Sequence, residues 1–164
     1  MSVCPASTSC PTAAQGVPRS TTSSSRIPAR GKYSFQYAKG VRLKNCVLNT
    51  KDALWHTKGA RAEDCIINRE YLGWYSEGLT LVRCHIKGKQ PLCYCKDLKL
   101  IDCTMEDCDL AFEYSDVEAE VRGGILSVKN PRSGRIVADR IGEVIRTADS
   151  VYPSEGVVIE RGRI

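Results

Sequence analysis

Apolar and polar residues alternate along the middle of this chain in short runs that return at a fixed interval. Leu79-Thr80-Leu81 and Leu98-Lys99-Leu100 show the period of two expected of a strand with one buried face. After one polar bend the alternation resumes in Cys84-His85-Ile86 and Cys103-Thr104-Met105. Cys46, Cys65, Cys84 and Cys103 stand 19 residues apart, and neighbouring positions keep the same register. Val41, Ala60, Leu79 and Leu98 form one apolar column; Leu43, Ala62, Leu81 and Leu100 form a second. Leu48, Ile67, Ile86 and Met105 form a third, and Gly40, Gly59, Gly78 and Asp97 stand where a turn is needed. A further segment carries aromatics, as in Ala53-Leu54-Trp55, Leu72-Gly73-Trp74 and Pro91-Leu92-Cys93. The pattern predicts three short strands per coil joined by tight bends.

Repeats of this length are stacked units that bury a core only against their neighbours. Helical repeats would place apolar residues at i, i+3, i+4 and i+7, which the alternating triplets contradict. The fold read from the pattern is all-β, a single-stranded parallel β-helix of 19-residue coils over 31–116. Beyond Tyr114 the repeat fades, and Arg122 stands where the next cysteine is expected. Residues 117–164 are read as a last irregular coil and a C-terminal cap, with strands at Ile125–Val128, Arg135–Ala138, Glu143–Ile145 and Val157–Glu160.

Residues 1–30 are rich in Ser, Thr and Pro and hold almost no large aliphatics, too few to offset the entropy of ordering them. They are read as a disordered or non-native leader. They also contribute Arg19, Arg26 and Arg30 with no acid, so most of the formal charge of +5 lies outside the repeats. The nearly neutral remainder argues against a nucleic-acid partner. No apolar run is long enough to span a bilayer, and no secretory h-region precedes the coils, so the expectation is a cytoplasmic protein with no membrane partner.

Tyr71-Leu72-Gly73-Trp74-Tyr75-Ser76, the Leu43-Lys44-Asn45-Cys46 turn, Leu110-Ala111-Phe112-Glu113-Tyr114-Ser115 and Ile141-Gly142-Glu143-Val144-Ile145 carry a resemblance. Over about 31–164 the chain resembles the C-terminal half of an uncharacterised, mainly bacterial family known as a domain of unknown function. The resemblance implies a right-handed parallel β-helix of pectin-lyase-like shape. It carries no catalytic residue onto this sequence.

Three groups of residues are candidates for chemistry. The cysteine ladder faces the core, where thiols act as small hydrophobes; a linear ladder does not make the tetrahedral geometry of a metal site, and no metal or cofactor is expected. Tyr37, His56, Tyr75 and Tyr94 form an aromatic column that the repeat continues to Glu113. Beside it run Gln36, Trp55, Trp74, Cys93 and Phe112. Since neighbours on a strand point oppositely, the Trp column is assigned to the core and the Tyr/His column to an exposed, ligand-binding stripe suited to sugar rings. The competing reading is stacking that only stabilises the sheet. The third group is acidic, with Asp107, Asp109 and Glu113 as candidate acid–base residues of glycoside cleavage.

Function is then read as a non-catalytic scaffold or carbohydrate-associated β-helix, or a truncated fragment of a longer one. The alternative is a polysaccharide lyase or glycoside hydrolase of the β-helix type. The pattern leaves open whether the chain is an enzyme and what its oligomeric state is.

Overall fold

The computed structural model describes residues 22–24, 28–32 and 35–161. Every regular element in them is a strand, and every pairing between strands is parallel. The strands are β1 (Thr22–Ser24), β2 (Pro28–Lys32), β3 (Arg42–Lys44), β4 (Val47–Lys51), β5 (Arg61–Glu63), β6 (Ile66–Asn68), β7 (Thr80–Val82) and β8 (His85–Lys89). They continue with β9 (Leu98–Asp109), β10 (Asp116–Lys129), β11 (Ser133–Ala138), β12 (Arg140–Ile145) and β13 (Val157–Glu160). One ladder runs β1-β3-β5-β7 and the other β2-β4-β6-β8; the long strands β9 and β10 belong to both. Beyond them β11 and then β13 extend the first ladder, and β12 extends the second. The chain is a parallel β-solenoid of about six turns.

The bend between the ladders explains why apolar residues three apart both point inward. Asn45, Asp64, Arg83 and Asp102 hold φ of 50–54° there, a left-handed kink that breaks strict alternation. Leu43 and Cys46, and their equivalents in the four coils that follow, therefore line one core. Stacking repeats each contact about 4.8 Å up the axis. Leu81 is fully buried between Ala62 and Leu100, and truncating such a side chain to Ala costs about 2–5 kcal/mol.

Four sequence readings change. The first coil begins before residue 31, since β1 and β2 pair in register with β3 and β4. Ser23 there stands opposite Leu43, so this coil carries no apolar alternation to read. The rest of the segment read as a leader lies outside the described residues. The cysteine column continues at Val121, not Arg122, because a register shift follows Glu120. A second shift, between Lys87 and Lys89 on β8, lengthens the facing part of β9 by one residue. The third predicted strand is a tight turn, with consequences for the aromatic residues.

Candidate functional site

In each coil the aromatic segment is a reverse turn, closed in three coils by backbone N–H groups of Ala38, Ser76 and Ser115 donating to the carbonyls of Phe35, Gly73 and Phe112. Its first and third residues are both left-handed: Phe35 and Tyr37, Leu54 and His56, Gly73 and Tyr75, Leu92 and Tyr94, Phe112 and Tyr114. The first of each pair faces the core; Phe35, Leu54, Leu92 and Phe112 are fully buried. Opposite-face alternation does not hold through a left-handed turn. Trp55 and Trp74 consequently stay half-buried at the surface, instead of entering the core as the strand reading has it.

A buried polar ladder fastens these turns from inside. The Thr57 hydroxyl donates to the Leu54 carbonyl at 3.1 Å, the Ser76 hydroxyl to the Gly73 carbonyl at 2.5 Å, and the Ser115 hydroxyl to the Leu92 carbonyl at 2.7 Å. The Cys95 thiol takes the same column and donates to the Gly73 carbonyl at 3.1 Å. Each group satisfies a carbonyl that the turn removes from the sheet ladder.

On the outside the rings stack along the solenoid axis. Tyr37 and His56 lie 5.0 Å apart and 20° from parallel, His56 and Tyr75 4.8 Å and 8°, and Tyr75 and Tyr94 4.8 Å and 11°. The column continues at Tyr114, 5.6 Å from Tyr94, and ends on Tyr152, 5.3 Å further. The residue added in β9 moves Glu113 out of this column and Tyr114 into it. Pairing Ser115 with Cys95 in place of Lys96 is the sequence signal for that shift. Trp55 packs edge-on against His56, and Trp74 against Tyr71 and Tyr94. Every described Tyr and Trp thus belongs to one ridge. Tyr37 is 61% exposed and Tyr75 41%, while His56 and Tyr94 are half-buried. Burial among the rings lowers the pKa of His56 below its usual value, with Glu77 opposing. Burial, and then Glu113, pushes the Tyr94 phenol up to about 12.

The three candidate acids are held by different partners. Asp107 approaches Lys87 on the preceding coil at 3.8 Å. Asp109 accepts a hydrogen bond from the Ser127 hydroxyl at 2.5 Å. Glu113 is buried under the ridge and paired with Lys129 at 3.0 Å, which raises the lysine pKa. Nothing in this arrangement favours an enzymatic reading. The cysteines at 46, 65, 84 and 103 are buried and none is in a disulfide, and among the described residues no group of three or more His, Cys, Asp or Glu is placed to hold a metal ion. Nor, among these residues, is any helix long and apolar enough to cross a membrane.

Fold and ridge together define a parallel β-solenoid with an ordered aromatic edge. Residues 20–159 match the family described as "Protein of unknown function (DUF3737)", and the chain belongs to that family. The match opens close to β1, earlier than the resemblance drawn from the sequence. No curated protein and no solved structure matches the chain.

Proposed function

We propose that this protein is a non-catalytic β-solenoid that works by surface contact, with the aromatic ridge as its contact surface and a glycan as its ligand. The observation that supports this reading is the collection of all described Tyr and Trp on one edge, with Tyr37, Tyr71, Tyr75, Tyr94 and Tyr114 at left-handed backbone positions unfavourable to them. A left-handed φ costs a non-glycine residue about 1–2 kcal/mol. Core packing alone does not call for bulky rings at such positions.

The mode of contact differs from a flat platform under a sugar. The ring faces lie against one another, so the ridge offers ring edges and a row of Tyr37, Tyr75 and Tyr94 hydroxyls repeating with the coils. An extended glycan laid along the axis would meet one rung per coil. Two further attributes belong to this reading. A right-handed, pectin-lyase-like winding is favoured by the general chirality of parallel crossovers. A cytoplasmic location is favoured by seven cysteines among the described residues that form no disulfide.

The test is binding of the purified protein to immobilised linear glycans, beside the double variant Tyr75→Ala/Tyr94→Ala and the double variant Tyr75→Phe/Tyr94→Phe. Binding lost in the first and weakened in the second, with circular dichroism unchanged, supports a ridge that reads sugars through hydroxyls. A wild-type protein that retains no glycan rules the ligand class out.

A further inference from the structure

Building on the glycan reading above, we propose that the ligand of the ridge is an acidic polysaccharide, a chain bearing carboxylates, in preference to a neutral one. Three observations lead there. Stacking hides the faces of His56, Tyr75 and Tyr94 and turns their edges outward. The aromatic quadrupole is negative on its face and positive on its edge, so a ridge of edges attracts anions where a platform of faces would attract cations or C–H groups.

The second observation is the charge beside the rings. The next outward column reads Lys39, Lys58, Glu77 and Lys96, joined coil to coil by parallel bridges. Lys39, Lys58 and Lys96 are exposed and make no ion pair among the described residues. Other cations do pair across coils, Arg83 with Asp64 at 2.8 Å and Lys87 with Glu106 at 3.4 Å. Three unneutralised ammonium groups in one column, set against a single acid, leave a positive flank running parallel to the rings.

The third is the state of the acids at the Tyr114 end of the ridge. Glu113 is neutralised by Lys129, and Asp116 lies 3.7 Å from Arg132, whose guanidinium also covers the Tyr152 ring at 4.8 Å. These carboxylates do not cancel the lysine column. A polymer with a carboxylate on its sugar units meets ammonium groups on one side and phenol hydroxyls on the other, both repeating along the axis.

The experiment measures affinity for alginate oligomers and for dextran oligomers of equal length, at low and at raised salt. It includes the surface variant Lys39→Gln/Lys58→Gln/Lys96→Gln. The expected result is alginate preferred about tenfold or more, a preference that shrinks with salt and disappears in the triple variant. Equal affinity for both polymers, or a preference untouched by the lysine substitutions, overturns the acidic class while leaving the glycan reading in place. Failure of both polymers to bind overturns both. Single-stranded DNA of the same charge binding as tightly as alginate also overturns it, since the surface would then read charge without sugar.

Discussion

Tyr75 and Tyr94, one coil apart, lie face to face at 4.8 Å while both backbones hold φ of 59°. The two facts oppose each other energetically. The left-handed backbone costs each about 1–2 kcal/mol, and each aromatic pair returns about 0.5–1.5 kcal/mol beyond its buried area. Tyr75 makes two such stacks, one with His56 and one with Tyr94, so its ring roughly offsets its own strain.

That balance predicts an unusual order of substitutions at this position. Tyr75→Phe keeps the ring and should stay within about 0.5 kcal/mol of the wild type. Tyr75→Ala loses both stacks, keeps the strain, and should cost about 1–3 kcal/mol. Tyr75→Gly loses the stacks but relieves the strain, and should be more stable than the Ala variant by about 1 kcal/mol. Urea denaturation of the three variants checks the order; an Ala variant equal to the Gly variant would mean that the strain is absent.

His56 interrupts a column otherwise made of Tyr, and its pKa is lowered chiefly by burial among the rings. A histidine whose folded pKa lies below its unfolded value contributes stability that is fully present above the unfolded pKa, near 6.5. The contribution falls as pH drops through that value toward the folded one. The wild type should therefore lose Tm between pH 7.5 and pH 5 by more than the His56→Tyr variant, which restores the column and has no charge to acquire. Thermal melts across this range, giving parallel curves for the two proteins, would sink the assignment.

The coil period, the core columns and the position of the aromatic stripe were legible because a parallel ladder stacks like on like, which writes the structure into the sequence as a repeat. Tyr37, His56, Tyr75 and Tyr94 were found this way. The assignment of Trp55 and Trp74 to the core failed for a local reason. Alternation is a property of extended backbone, and the turn at Leu54–Thr57 is left-handed at two residues. Glu113 was misplaced for another reason. A one-residue shift beside Asp107 alters every column after it, and a strict 19-residue period has no means to register it. The first coil leaves no such mark in the sequence, because Thr22-Ser23-Ser24 pairs through its backbone without an apolar pattern.

Lys129 covers Glu113, which is almost fully buried. Removing the cation strands a carboxylate in a poorly hydrated site, whereas removing both charges does not. Lys129→Met alone should cost about 2 kcal/mol, and Glu113→Gln added to it should recover most of that loss. The measurement is a double-mutant cycle by chemical denaturation. Additive losses from the two substitutions would show that the pair is merely solvated.

Glycines of the coil fall into two kinds that substitution should separate. A Cβ on Gly134 (φ 90°) would sit 2.0 Å from the Val117 carbonyl oxygen, a clash with backbone that no side-chain movement relieves. A Cβ on Gly59 (φ 64°) meets nothing within 4 Å. Gly59→Ala should cost only the left-handed penalty, about 1 kcal/mol, and remain folded. Gly134→Ala should cost more than about 3 kcal/mol by forcing β10 and β11 apart, and leave little soluble protein. Comparable Tm values for the two variants would contradict the close backbone approach.

The thiols give the last prediction. The chain has nine cysteines, of which Cys4 and Cys10 lie outside the described residues. The other seven are buried and none is in a disulfide. Hydrogen bonding with Cys103, and then burial, pushes Cys84 up to about 12, and burial above all brings Cys95 and Cys108 to about 12. The thiolate is the reactive form, so these groups should be inert at pH 8 both for want of access and for want of charge. A thiol reagent such as dithionitrobenzoate should label no more than two cysteines of the native protein within minutes, and all nine in denaturant. Because labelling of the seven requires opening of the stack, its rate should rise in the Tyr75→Ala variant in proportion to the stability that variant loses. Rapid native labelling of more than two thiols would mean that the ladder at Cys46, Cys65, Cys84 and Cys103 does not form a closed core.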